Sequence, residues 1–193
     1  MKKSKTYTVP YRRKREAKTN YKSRLGLLKS GLPRLVVRKS ITGMTVQVVG
    51  YSPTGDKIIV SAHSKELNKL GWKAACSNIP ASYLVGVLIA QKAKKAKVDK
   101  VVLDAGIYKP VNGSRVYAVI KGVVDNGVSL PHDEKVLPST DRINGKHIEE
   151  YAKSIENDAD RYKKQFSKYL KENIDPKTIS KVFNDVLTKI KGA

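Results

Sequence analysis

The N-terminal fifth of the chain carries most of its positive charge and cannot be part of a hydrophobic core. Residues 1–39 contain 14 lysines and arginines but a single acid, Glu16, and so hold +13 of a net charge of +22. Charges at this density are too costly to bury unpaired, so the core must form from the rest of the 193 residues. A polyanionic partner is the first hypothesis, because it would relieve the self-repulsion of this block.

The first 33 residues are predicted to form an arm and one basic helix. Residues 1–10 have no periodic apolar face and are expected to order only on a partner. From Tyr11, an apolar stripe at helical spacing predicts a helix that ends at Gly31 and Pro33. The stripe comprises Ala17, Tyr21, Leu25 and Leu28. The other faces of this helix carry the basic residues Arg12, Arg13, Lys14, Arg15, Lys18, Lys22 and Arg24.

Residues 34–130 are predicted to form an α/β core. Three apolar segments joined by short turns indicate an antiparallel meander, and they lie at 34–40, 44–50 and 57–62. A helix from Pro80 to about Ala96 then leads to a buried strand at 98–106, and Ser114 begins a second helix. A crossover of this kind places the fourth strand parallel to one of the first three. The predicted fold is therefore a mixed sheet, three antiparallel strands plus a parallel one, covered by helices.

Residues 131–193 are predicted to be a loop followed by two or three amphipathic helices appended to the core. The last helix is the best specified, with Asp175 as its N-cap and Pro176 in its first turn. Its apolar face comprises Ile179, Val182, Phe183, Val186 and Ile190. We expect this face to pack on the core or on a neighbouring protein. Residues 146–193 hold 11 basic and 8 acidic residues, a mixture typical of a solvated surface.

The sequence offers no assembled catalytic or metal site. The predicted strand order resembles that of ribonuclease H-like nucleases, but the first three strands contain no acid, and Asp56 lies in a turn. Asp104 is the most site-like acid, although a turn or cap role is more common in its position. Cys76 is favoured as a small buried hydrophobe, and the three histidines lack the spacing of zinc ligands. With no glycine-rich phosphate loop either, no cofactor, metal or small-molecule substrate is expected.

The hydropathy of the chain indicates a soluble protein. The longest apolar segment, 83–90, is far too short to cross a bilayer, so no membrane partner is expected. A single cysteine and the absence of an apolar run after the opening lysines favour a reducing, cytoplasmic location.

The basic block, to which Lys29 also belongs, predicts binding to structured RNA. Lysines and arginines gain affinity by displacing counterions from phosphates, and Tyr7 and Tyr11 are placed to stack on unpaired bases. Inward packing is the commoner role for Tyr21. A basic sheet face beside the helix is predicted from the alternation of Arg34, Arg38 and Lys39 with apolar residues. Two alternatives stay open: a chromosomal DNA-binding protein, and an RNA-modifying or RNA-cleaving enzyme that uses Asp104.

Several segments of the chain resemble the eighteenth large-subunit ribosomal protein family, in its archaeal form. They are RRKREAKTNYKSRLGLLKSGLPRLVVRKS at 12–40, GDKIIVSAHSKEL at 55–67, NIPASYLVGVLIA at 78–90, VVLDAG at 101–106, GSRVYAVIKGVVDNGVSLPHDE at 113–134 and LPSTDRINGKHI at 137–148. The resemblance covers about three quarters of the chain in one register.

The resemblance implies a ribosome-associated protein that binds 5S rRNA and attaches it to the large rRNA in the central protuberance, beside neighbouring ribosomal proteins. It also implies a sheet of the ribonuclease H-like type and no enzymatic activity. The RNA contacts carried over from the family, with the basic arm residues, fall on Lys18, Thr19, Asn20, Tyr21, Arg24, Leu25, Pro33, Arg34, Arg38, Lys39 and Ser40. Two further segments are implied to approach RNA, although the residues themselves indicate only helix caps there: His63, Ser64 and Lys65, and Gly113 to Arg115.

Overall fold

A mixed four-stranded sheet lies at the centre of the computed structural model, which describes residues 6–192. The strands are β1 (Arg34–Lys39), β2 (Met44–Gly50), β3 (Lys57–His63) and β4 (Val102–Asp104), in the spatial order β3-β2-β1-β4. The first three pair antiparallel, and β4 pairs parallel to β1. The predicted fold class and the parallel placement of the fourth strand are therefore confirmed.

Side chains alternate across β1 and β2, so the sheet has one apolar face and one mixed face. Leu35 and Val37 point to the same side as Val46 and Val48, and each of the four is at most 2% exposed. This inner face is covered by helix α3 (Ile79–Lys95), which begins where the Asn78 side chain accepts a hydrogen bond from the Ala81 amide. The opposite, outer face carries Arg34 and Arg38.

Helix α4 (Arg115–Asp125) packs against α3 at a very close crossing. Gly86 of α3 faces the backbone of Val119, and Gly122 of α4 faces the carbonyl of Tyr83; a Cβ at either glycine would collide with those atoms. The two helices approach this closely because neither has a side chain at the contact. Their buried faces complete the core behind the sheet.

The N-terminal region contains two short helices, α1 (Arg12–Arg15) and α2 (Tyr21–Leu28), rather than one. The expectation of one continuous helix is wrong, because Ala17 adopts a left-handed conformation with φ of 50° and interrupts it. The apolar stripe is not a buried face either, since Leu25 is 58% exposed. Neither helix contains a buried residue, and Arg24 joins α2 to the sheet through its ion pair with Asp56 in the turn before β3.

The C-terminal region forms several short helices and one longer one that joins the core. The helices are α5 (Thr140–Asn144), α6 (Lys146–Ser154), α7 (Ala159–Gln165), α8 (Ser167–Lys171) and α9 (Ile179–Lys191), with 3-10 turns at Glu134–Val136 and Pro176–Thr178. A further 3-10 turn, Ser64–Leu70, lies between β3 and α3. The Asp175 side chain accepts from the Lys177 amide at the start of the last segment, as expected of a cap. No described helix is long and apolar enough to pass through a bilayer.

The apolar face of α9 packs on α3, which agrees with the expectation that this face would pack on the core. The Phe183 ring lies 5.8 Å from the ring of Tyr83, and Ile179, Val186 and Ile190 are each at most 1% exposed. These side chains belong to the same hydrophobic cluster as the sheet. The last helix of the predicted C-terminal extension is therefore packed into the core.

Candidate nucleic-acid interface

A cleft of about 580 Å³ lies between the N-terminal segment and the outer face of the sheet. Its walls are formed by residues of α1, α2 and the segment between them, and its floor by residues of all four strands and of the turn before β3. Five of the lining residues are cations: Arg13, Lys18, Arg24, Arg34 and Arg38. We refer to this site as the basic cleft. The predicted juxtaposition of a basic sheet face and a basic helix is present in the structure.

Two carboxylates bind three of the four arginines of the basic cleft in an alternating chain, Arg24–Asp56–Arg34–Asp104–Arg38. Arg24 Nη2 lies 2.8 Å from both oxygens of Asp56, and Arg34 Nη2 lies 2.6 Å from Asp56 Oδ2. Arg34 Nη1 donates to Asp104 Oδ2 at 2.9 Å, and Arg38 Nη2 lies 3.0 Å from Asp104 Oδ1. These contacts fix three guanidinium groups in one row.

Burial distinguishes the roles of the three arginines. Arg34 is 3% exposed and is held between both carboxylates, so it serves as the anchor of the chain. The side chains of Arg24 and Arg38 are 31% and 42% exposed, and their unpaired faces are accessible from solvent. The two outer arginines can therefore accept a polyanion while the inner one maintains their spacing.

The carboxyls of this chain are ionised at neutral pH. Burial by itself raises the pKa of Asp56 and of Asp104, but the hydrogen bonds and charges of the arginines outweigh it, and both pKa values lie below the ordinary range. With Arg13 and Lys18, the cleft has five cations and two anions, so it retains positive charge. Such a site favours phosphate groups.

The segment before α2 is shaped by its own polar side chains. Asn20 Oδ1 accepts from the Ser23 amide at 3.1 Å and caps α2. Arg13 Nε donates to Thr19 Oγ1 at 2.8 Å, which joins the two sides of the break at Ala17. Tyr21 is half-buried, as the sequence favoured, with its ring centre 5.3 Å from that of Tyr11.

The other basic residues of the block are on the surface, outside the cleft lining. Lys18, which does line the cleft, also pairs with Glu16 at 2.9 Å. The exposed group consists of Arg12, Lys14, Arg15, Lys22 and Lys29, with Leu25 among them. They add to the positive surface of the N-terminal region.

The end of β1 brings together residues that are far apart in the sequence. Arg115 Nη1 donates to the Ser40 carbonyl at 3.2 Å and to the Ser77 carbonyl at 2.9 Å. Lys39 and Ser40 lie beside it at the surface. At the other end of β1, half-buried Pro33 accepts at its carbonyl from the Val102 amide at 3.0 Å. Arg115 thus lies next to the β1 residues implied to contact RNA.

The segment 63–65 caps the 3-10 turn that follows β3. His63 Nδ1 accepts from the Lys65 amide at 3.0 Å, and the His63 amide donates to Glu66 Oε1 at 2.8 Å, which together cap the 3-10 turn. Ser64 is fully buried and its hydroxyl accepts from the Met44 amide. Only Lys65 of the three is exposed.

The acids and the cysteine do not form a metal or nucleophile site in the described part of the chain. Within residues 6–192, no three His, Cys, Asp or Glu side chains converge closely enough to hold a metal ion. Cys76 is buried, which raises the pKa of its thiol. Asp104 accepts from the Gly106 amide, as expected of a turn residue, but its main partners are the arginines.

Asp56 and Asp104 are the site residues that sequence reasoning did not assign. Each is separated from its arginines by tens of residues: 22 and 32 for Asp56, and 66 and 70 for Asp104. One sequence feature could have indicated the role of Asp104: it ends the strand that was predicted to pair parallel with one of the first three, and the first of these contains two arginines.

Comparison with known proteins identifies the family. Residues 5–102 match the model of the family described as ribosomal large subunit proteins 60S L5 and 50S L18. The large ribosomal subunit protein uL18 of Methanococcus maripaludis is 47% identical over 184 residues, which is 95% of either chain. The chain belongs to this family of large-subunit ribosomal proteins. The resemblance inferred from the sequence motifs is confirmed.

Membership in the uL18 family establishes the class of function. The protein is a structural, ribosome-associated constituent of the large ribosomal subunit, with rRNA and other ribosomal proteins as its partners, and is not an enzyme. Because the uL18 relative aligns over 95% of both chains, the shared sequence extends well beyond the region covered by the family model, into the C-terminal helices.

Proposed function

We propose that this protein binds 5S rRNA and attaches it to the large rRNA in the central protuberance of the large ribosomal subunit. The observation that carries the proposal is the basic cleft, where Asp56 and Asp104 hold three arginines in fixed orientation. Family membership supports an rRNA partner, and the charge of the first 39 residues supports an extensive phosphate footprint.

The geometry of the cleft suits an RNA backbone. A guanidinium group presents paired N–H donors that match the oxygens of a phosphate, and Arg24 and Arg38 are each held by a carboxylate while partly exposed. Because their side chains are already ordered, they lose less conformational entropy on binding than free arginines would. The cleft is therefore pre-organised for phosphates before RNA arrives.

The three regions of the chain take different roles in this proposal. Residues 1–33 supply an electrostatic footprint through the arm, α1 and α2. Residues 34–130 supply the sheet that positions Arg34, Arg38, Lys39 and Arg115. Residues 131–193 contribute the packing of α9 behind α3, on the side of the sheet opposite the basic cleft. The RNA-facing and the packing surfaces are thus on opposite sides of the sheet.

One titration tests the proposal against its alternatives. Affinity of the full chain is measured for 5S rRNA, an unrelated structured RNA of equal length and duplex DNA, each at several salt concentrations. We expect 5S rRNA to be preferred at moderate salt. A footprint of six to ten phosphate contacts would lose roughly a thousand- to a hundred-thousand-fold in affinity between about 50 and 200 mM salt. Equal affinity for the three nucleic acids would refute the proposal in favour of general polyanion binding.

A truncation and a charge-removal control localise the footprint. A chain lacking residues 1–17 keeps α2 and the sheet but loses seven cations, so the plot of log affinity against log salt should become shallower. The control replaces exposed Lys163, Lys164 and Lys171 of α7 and α8 with alanine. This control should retain the slope of the full chain, because these lysines are not in the proposed footprint.

A further inference from the structure

A second cleft, of about 590 Å³, lies at the end of β1 beside the turn to β2. Its lining residues come from the β1–β2 turn, from the loop after β4 and from the start of α4: Lys39, Ser40, Ile41, Thr42, Tyr108 and Arg115. Among these described residues there are two cations, one aromatic ring and no acid. We refer to it as the tyrosine cleft.

Two large apolar side chains of the tyrosine cleft are exposed to solvent. Ile41 is 92% exposed and Tyr108 is 47% exposed. Ile41 is presented by an ordered turn, since Ser40 and Gly43 exchange backbone and side-chain hydrogen bonds of 2.9–3.0 Å. Ile41 and Tyr108 together give the tyrosine cleft an exposed apolar component beside its cations.

Two cations line the tyrosine cleft together with the ring of Tyr108. Lys39 Nζ is 5.1 Å from the centre of the Tyr108 ring. Arg115 is held by the carbonyls of Ser40 and Ser77. An aromatic ring with two adjacent cations provides both parts of a nucleotide site, a stacking surface for the base and positive charge for the phosphate. An apolar peptide would offer these two cations no anionic partner.

We propose that the tyrosine cleft binds one unpaired nucleotide of RNA, with its base stacked on Tyr108 beside Ile41 and its phosphate near Lys39 and Arg115. This inference rests on the proposed function and deepens it, because it assigns Tyr108 and Ile41 to a single-stranded element of the same RNA. The basic cleft contributes charge, and the tyrosine cleft contributes stacking that does not depend on salt.

The test compares Tyr108→Ala, Tyr108→Phe and Tyr51→Ala in the full chain, with 5S rRNA and a ten-nucleotide single-stranded RNA as probes. Tyr51 is the matched control, an exposed tyrosine outside the lining of the tyrosine cleft. We expect Tyr108→Ala to lower affinity about 5- to 100-fold, with an unchanged dependence on salt, because stacking releases no counterions. Tyr108→Phe and Tyr51→Ala should stay within about twofold of the parent chain, since Tyr108→Phe keeps the ring.

Each outcome decides the inference. Equal affinities for Tyr108→Ala and the parent chain would overturn it, as would an equal loss in Tyr51→Ala or a loss in Tyr108→Phe as large as that in Tyr108→Ala. Normal RNA affinity combined with poor incorporation of Tyr108→Ala into the subunit would assign the cleft to a protein partner instead. Failure of the proposed function is a different result: the parent chain would not prefer 5S rRNA over unrelated RNA, whereas the effect of Tyr108→Ala on the single-stranded probe would persist.

Discussion

Arg34 and Asp104 are joined by a hydrogen bond of 2.9 Å across the parallel pair β1–β4, although 70 residues separate them in sequence. In the register of this pair Asp104 lies opposite Val36, midway between Arg34 and Arg38. One carboxylate can therefore bind both arginines. Since Asp104 is in place only when β4 has docked, the interface arginines acquire their orientation from closure of the core.

The first prediction is that Asp104→Ala destabilises the fold. Removing one partner of a buried ion pair leaves the 3% exposed Arg34 with Asp56 alone, so we expect a loss of about 3 kcal/mol in the free energy of unfolding. Urea denaturation followed by circular dichroism measures it. Asp185→Ala, at an exposed acid on α9, is the matched control and should change the stability by less than about 0.5 kcal/mol. Similar effects of the two variants would contradict the role assigned to Asp104.

The second prediction concerns pH. The pKa of Asp104 lies below its ordinary value of 3.8 in the folded protein, so the ionised carboxylate stabilises the fold. This contribution is fully present above the unfolded-state pKa and is lost as pH falls through the folded-state pKa. The difference in unfolding free energy between the parent chain and Asp104→Asn should be largest at neutral pH and should narrow below pH of about 4. A difference that is constant from pH 7 to pH 3 would count against the ion pair.

The strands and the packed helices could be predicted from sequence because each has a local pattern that matches its surroundings. Leu35 and Val37 alternate with Arg34 and Arg38, and this period-two pattern fixed both the strand and the face that is basic. The apolar face of α9 was likewise read from residues at helical spacing. Such patterns predict structure reliably because an element with one buried side needs apolar residues on that side.

The break in the N-terminal helix could not be predicted, because it depends on one residue in an unfavourable conformation. Ala17 adopts φ of 50°, which is disfavoured for a residue with a Cβ, and its neighbours Arg13 and Thr19 are hydrogen-bonded across it. The arginine–aspartate chain was hidden for another reason. Asp104 meets Arg34 only because β4 pairs with β1, and this strand order is determined by the packing of the whole sheet.

The third prediction separates positioning from charge in the basic cleft. Arg38→Ala should lower affinity for 5S rRNA about 3- to 30-fold and reduce the salt slope by about 1. Arg38→Lys keeps the charge but loses the fork that binds Asp104 and phosphate together, so it should keep the slope and lose part of the affinity. Lys171→Ala, at an exposed lysine on α8, is the control and should leave both quantities unchanged. Full affinity in both Arg38 variants would remove this residue from the interface.

The fourth prediction tests the crossing of α3 and α4 with alanine at three glycines. Gly86→Ala and Gly122→Ala should each lower the free energy of unfolding by about 1–3 kcal/mol or more, because the added Cβ meets backbone atoms of the partner helix. Gly26, in α2, has no atom within 4 Å of an added Cβ. Gly26→Ala should therefore stabilise its helix by up to about 1 kcal/mol. In thermal melts, Gly86→Ala and Gly122→Ala should lower the Tm, whereas Gly26→Ala should raise it. An unchanged Tm in the first two variants would contradict the close crossing.

The fifth prediction separates the packing face of α9 from its solvent face. Phe183 is 2% exposed and packs against Tyr83, so Phe183→Ala should cost about 3–5 kcal/mol of stability. Lys181 lies on the exposed side of the same helix, and Lys181→Glu should leave both the unfolding free energy and the affinity for 5S rRNA near those of the parent chain. Denaturation and RNA titration are measured on both variants. A large loss of RNA affinity in folded Lys181→Glu would show that the exposed side of α9 lies close to the bound RNA, because charges act on a polyanion only within about a Debye length.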